Sequence, residues 1–183
     1  MVLAGALVLL LFGWFTFRSI GVQREAGREL DRLLADRHSP LRPIPRASES
    51  HRTIFGRLEV PRLGLSVIVF EGATADVLGV GAGHVANVGA QASGENVVIA
   101  AHRDTYFRPL RNIRRSDSLI LTTPAGTSRY VVESTEIAAP SRMQVLFKTP
   151  DPELTLITCY PFYYVGPAPR RFIVHARKLT ATS

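Results

Sequence analysis

Cysteine is nearly absent: the chain of 183 residues has one, Cys159. No intrachain disulfide is therefore possible, and a metal site built from cysteines alone is excluded. What remains for Cys159 is a packed spectator or a reactive thiol. Negative charge is also scarce, with 15 acidic against 22 basic residues and a net charge of +7. A positive field draws nucleic acid and an anionic envelope surface alike, so charge alone does not choose between them. The arginines are dispersed and adjoin one another only at Arg114–Arg115 and Arg170–Arg171. No nucleic-acid-reading module accompanies them, which sets nucleic acid aside as a partner. The histidines are scattered and the acidic residues form no cluster, so neither a metal nor any other cofactor is expected.

No apolar run reaches the length of an ordinary membrane span. The one candidate, Val2 to Phe17, is apolar or small except for Thr16 and is closed by Arg18. As a helix it would measure roughly 24 Å, against a hydrocarbon core of ~30 Å. No cationic segment precedes it and no small-x-small cleavage site comes after it, so it reads as a retained anchor rather than a removed signal peptide. A buried helix or an uncleaved signal is the other reading. The arginines just beyond the run oppose a simple outward assignment of the chain on that side.

The remainder has a globular composition, 46% hydrophobic and 20% charged, with room for one ordinary domain. From Ile20 to Arg37 the apolar positions Val22, Ala26, Leu30, Leu33 and Leu34 recur at helical spacing. Ser39 to Ser50, with Pro40, Pro43 and Pro45, reads as an extended linker. The expected division is an anchor over 1–19, a helical stalk and proline-rich linker over 20–52, and a catalytic domain over 53–183. Within that domain, short β-type runs are predicted at Ile54–Val60, Leu65–Phe70, Asn96–His102, Ser118–Thr123, Ser128–Glu136, Leu154–Cys159 and Phe172–Arg177, with a short eighth near Gly83–Val85. Pro61–Gly64 and Pro124–Gly126 suit hairpin turns. Thr74–Val80 and Arg108–Ile113 each suit a helical turn, and Pro140–Pro152 reads as a long connection. Such a pattern makes an all-β barrel or sandwich.

Chemistry concentrates at three strand ends. Thr155-Leu-Ile-Thr-Cys159-Tyr-Pro161 carries an apolar strand into a cysteine and then a proline, which cannot continue the ladder. A thiol becomes a good nucleophile only when ionised, and a neighbouring cation favours the thiolate. Val97-Val-Ile-Ala-Ala101 is a buried-type strand that ends abruptly in His102, and an imidazole can give a proton to a leaving amine and later take one back. Arg171 opens the last strand after a turn at Gly166–Pro169, and antiparallel pairing would return it beside Cys159. Alternation sends Arg170 to the opposite face. Taken singly, each residue has a plainer reading: a packing thiol, a surface histidine, a solvated arginine.

Together these motifs resemble the sortase family. Thr155-Leu-Ile-Thr-Cys159 is similar to its Thr-Leu-x-Thr-Cys signature, Ala101-His102-Arg-Asp-Thr105 looks like its histidine motif, and Arg170-Arg-Phe-Ile-Val174 resembles its arginine strand. The likeness covers about residues 53–178, and Cys-Tyr-Pro-Phe162 with Ala-Pro-Arg-Arg171 looks nearest to class D. It implies an eight-stranded sortase-type β-barrel with short helical connections, preceded by an N-terminal hydrophobic helix. It also implies a cysteine transpeptidase with catalytic Cys159, His102 and Arg171. The thiolate would cleave a Leu-Pro-x-Thr-x sorting signal at the Thr-x bond through a thioacyl-enzyme. The acyl group would pass to an amine acceptor, a cell-wall precursor or a protein, for surface attachment.

Thr158 is similar to a family residue that contacts substrate, with packing or strand propensity an equal alternative. His84, in Gly81-Ala-Gly-His-Val, reads as structural, and Asp104 as a turn former rather than an orienter of His102. The expected location is the cell membrane, single-pass, with the catalytic domain on the outer (extracytoplasmic) face. Two other functions share these features: a thiol hydrolase acting on the same signal, and a catalytically silent envelope binding module.

Overall fold

The computed structural model describes residues 19–35, 53–86, 96–141, 153–164 and 166–179. They form a helix over 19–35 (α1), strands Ile54–Val60 (β1) and Leu65–Glu71 (β2), a helical turn Ala75–Leu78 (α2), and strands Ala82–His84 (β3) and Val97–Ala100 (β4). Four more strands complete the set: Ser118–Thr123 (β5), Gly126–Ala138 (β6), Glu153–Tyr160 (β7) and Arg170–Lys178 (β8). The strands close into a barrel in the order β1-β2-β3-β4-β7-β8-β6-β5, with β5 paired back onto β1. The pairs β2–β3 and β4–β7 are parallel and the others antiparallel.

All seven expected strands and the short eighth are present, with ends moved by a few residues. The change that bears on the site is at β4, which stops at Ala100 instead of reaching His102. The chain turns there because the Phe107 N–H donates back to the His102 carbonyl at 3.0 Å. Short 3₁₀ turns occupy Pro61–Leu63 and Arg108–Asn112. The first ends at Gly64, whose positive φ of 60° suits a residue without Cβ. The apolar run 2–17, the linker 39–50 and most of the connection 140–152 lie outside the described residues. Among the described residues no helix is long and apolar enough to cross a membrane.

The strand sequences alternate as a barrel wall requires. Leu58, Val67, Val69, Ile99, Leu119, Leu121, Leu154, Leu156, Val174 and Ala176 point inward, and Phe107 and Leu110 from the β4–β5 connection join the same core. Several strands are apolar on both faces, and outer clusters explain them. The outward Ile68 and Phe70 of β2 pack against Ala26 and Leu30 of α1 and Val77 and Val80 near α2. Leu30 is fully buried, which is worth about 2 kcal/mol by area. Gln23 adds polar contacts: its Oε1 accepts from the Ile68 N–H at 2.8 Å, and its Nε2 donates to the Val80 carbonyl at 2.6 Å. Strand β7 is also two-faced. Its Ile157 clusters outside the barrel with Val98 of β4, Ala138 of β6 and Ile173 of β8.

Candidate active site

The three chemistry-bearing residues are brought together by strand register. Cys159 on β7 stands opposite Arg171 on β8, two residues along from the pair Ile157–Ile173. Directly opposed residues share a face of the sheet, so Cys159 and Arg171 lie on the outward face carrying Ile157 and Ile173. On the other side of β7, Ala100 of β4 is level with Ile157. The Ala101 N–H donates to the Ile157 carbonyl at 3.2 Å, and the Thr158 hydroxyl to the Ala101 carbonyl at 2.7 Å. His102 therefore leaves β4 level with Cys159. The buried cluster of Val98, Ala138, Ile157 and Ile173 ties the outer faces of four adjacent strands just before their chemistry-bearing ends.

Cys159 is partly exposed, His102 is exposed and Arg171 is partly buried, while Arg170, level with Tyr160, is exposed. The Arg171 Nη1 donates to the carbonyls of Ala168 at 3.2 Å and Arg170 at 3.0 Å. Thr158 is 3% exposed, and its hydroxyl is spent on β4, so in this structure it acts as a tie between the cysteine and histidine strands. Asp104 lies exposed in the turn after His102. His84 stacks on Phe55 with ring centres 4.0 Å apart and shares a 2.9 Å contact with Glu71 on the neighbouring strand. Among the described residues no group of three histidine, cysteine, aspartate or glutamate side chains is arranged to hold a metal ion.

Two features of this end of the barrel were not anticipated. Tyr160, Phe162 and Phe172 pack ring against ring, with centres 5.3 to 6.3 Å apart. Arg103 is buried beneath the β7–β8 connection, where its Nη2 donates to the carbonyls of Tyr164 and Gly166. Its neighbour in sequence is an exposed histidine, and nothing local marks it as buried. A cavity of about 450 Å³ lies elsewhere, between α1 and the wall. Gln23, Arg24, Arg28, Arg57 and Tyr106 help line it, but Cys159, His102 and Arg171 do not.

The sortase domain family matches residues 58–179. The chain belongs to the sortase family. It is 33% identical over 126 residues to Sortase D of Bacillus subtilis, a stretch covering 68% of this chain and 64% of that protein. It is 30% identical over 112 residues to Sortase A of Listeria monocytogenes, covering 58% of this chain and 49% of the relative. The chain thus spans 64% and 49% of the length of these relatives. A solved Clostridium perfringens sortase D5 transpeptidase superposes with a TM-score of 0.68 at 22% identity, over 87% of this chain and 99% of that one. That is a likeness of fold. The eight-stranded barrel expected from the sequence is the one found here, with Cys159 on β7, Arg171 on β8 and His102 just past β4.

Proposed function

We propose that the chain is a cysteine transpeptidase acting on a Leu-Pro-x-Thr-x sorting signal. The Cys159 sulfur, as thiolate, attacks the threonine carbonyl carbon. The resulting oxyanion is held by the Arg171 guanidinium, a charged donor fixed in place beforehand. As the C–N bond breaks, His102 gives a proton to the departing amine, leaving a thioester on Cys159. An amine acceptor, a cell-wall precursor or a protein, then attacks the thioester and His102 takes its proton. The new amide forms and the thiolate is released. Thr158 is read as a substrate-contacting residue beside Cys159, with its tie to the Ala101 carbonyl as the equal alternative role. The run 2–17 is read as a single-pass anchor holding the domain on the outer face of the cell membrane.

The observation that carries this reading is the shared face of Cys159 and Arg171, with His102 two residues past the end of the adjoining strand β4. The test is incubation of the chain with a Leu-Pro-x-Thr-x peptide, with and without an amine. Amide product that depends on the amine is expected. Free acid alone would make the protein a hydrolase, and an uncleaved peptide would leave a binding module.

A further inference from the structure

Arg103 is 9% exposed, yet no carboxylate pairs with it among the described residues. Its Nη2 donates to the Tyr164 carbonyl at 2.5 Å and the Gly166 carbonyl at 3.0 Å, and its guanidinium carbon sits 5.8 Å from the centre of the Tyr164 ring. Its Nη1 is buried with no hydrogen-bond partner among the described residues. Burying a guanidinium without an opposing charge costs desolvation that two carbonyls and a ring offset only in part. A leucine or methionine would fill the space more cheaply. What the arginine supplies instead is a forked grip on backbone atoms from a distant part of the chain.

The two ends of that grip matter. Arg103 directly succeeds His102 in the turn that leaves β4. The carbonyls it holds belong to the β7–β8 connection, and two residues past Gly166 the Ala168 carbonyl receives the Arg171 Nη1 at 3.2 Å. One short loop is thus gripped by Arg103 on the histidine side and by Arg171 at its exit. The geometry points to Arg103 as a positioning residue that sets the orientation of the Arg171 guanidinium by clamping the β7–β8 connection to the histidine turn. The inference rests on the proposed catalytic roles of Cys159, His102 and Arg171.

The test uses the full chain with Arg103→Met and Arg103→Lys, each made with Arg171 present and again with Arg171→Ala. Acyl transfer from a Leu-Pro-x-Thr-x peptide to an amine is followed for kcat and KM, and amide hydrogen exchange is followed across 161–170. With Arg171 present, Arg103→Met should lower kcat by roughly 10- to 100-fold, the scale of misplacing a catalytic group by about an ångström. KM should move less than about threefold, and loop exchange should quicken. With Arg171→Ala, the same change should cost less than about twofold, because residues acting through one another are not additive. Arg103→Lys keeps one donor for the carbonyls and should recover part of the loss. It carries the same comparison if the methionine variant does not fold.

Equal fold losses in both backgrounds would overturn the proposal. So would a rise in KM with kcat unchanged, which would make the loop a binding wall. If the wild-type chain processes no such peptide, the functional reading falls and takes the catalytic half of the inference with it. The exchange comparison still decides the clamp, and unchanged exchange in both Arg103 variants would overturn it.

Discussion

Replacing Arg171 and Arg170 in turn separates two guanidinium groups that are adjacent in sequence and divided by one strand alternation. Arg171 is opposite Cys159 and partly buried, and Arg170 is opposite Tyr160 and exposed. The Arg171 Nη1 is engaged by the Ala168 and Arg170 carbonyls. A guanidinium has five N–H donors, and among the described residues the other two nitrogens, Nη2 and Nε, make no hydrogen bond that would compete with a substrate oxygen. On the proposed mechanism, Arg171→Ala removes a preorganised oxyanion donor, which should lower kcat by about 10²- to 10³-fold, or roughly 2.7–4 kcal/mol of transition-state stabilisation. Arg171→Lys keeps the charge without the fork and should fall between alanine and wild type. Arg170→Ala, a surface change, should stay within about threefold. Initial rates of amide formation at saturating peptide, quantified by chromatography, measure all three. Equal losses at both positions, or a larger one at Arg170, would refute the assignment by register.

Other expectations concern the scaffold. A Cβ on Gly83 would stand 2.2 Å from the Gly72 carbonyl oxygen and 3.0 Å from the Ala73 Cα, so Gly83→Ala must push backbone apart and should cost about 1–3 kcal/mol in urea unfolding. Leu30→Ala should cost about 2 kcal/mol, and an unchanged midpoint would mean that α1 is not part of the cooperative fold. His175 is held above the ordinary histidine range, first by its 2.5 Å hydrogen bond to Glu153 and then by the charges of Glu153 and Glu136, against the opposing effect of burial. Its stabilisation is therefore complete below about pH 6.5 and is lost as pH rises through the raised folded-state value. Glu153→Gln should cost about 1.5 kcal/mol at pH 6 and nearly nothing at pH 9. A pH-independent difference in urea midpoints would contradict this pairing.

Much of the site was legible because the chemistry-bearing residues sit where apolar runs break. Val97–Ala101 stops at His102, and Leu154–Thr158 stops at Cys159 before Pro161, so strand ends and candidate residues appear in one signal. Alternation also separated Arg171 from Arg170, since a period of two needs no tertiary information. Arg103 was illegible for the converse reason. Its burial depends on the Tyr164 and Gly166 carbonyls, roughly sixty positions away in sequence, and a charged residue in a turn otherwise reads as solvated. The Glu153–His175 and Arg62–Asp117 pairs are also non-local. In the second, both Asp117 oxygens accept from Arg62 and one also accepts the Arg114 N–H at 2.8 Å. The helix over 19–35 was visible from its period. Its cover, Ile68 and Phe70, was visible only as a strand too apolar for a wall with one wet face.

Mass spectrometry after mixing the chain with a Leu-Pro-x-Thr-x peptide and quenching in acid within one turnover would show where the acyl group rests. A mass gain equal to the fragment ending in threonine, on the peptide that contains Cys159 and absent from Cys159→Ala, is the expected result. An acyl group on another side chain, or continued cleavage by Cys159→Ala, would contradict a thioester at that sulfur.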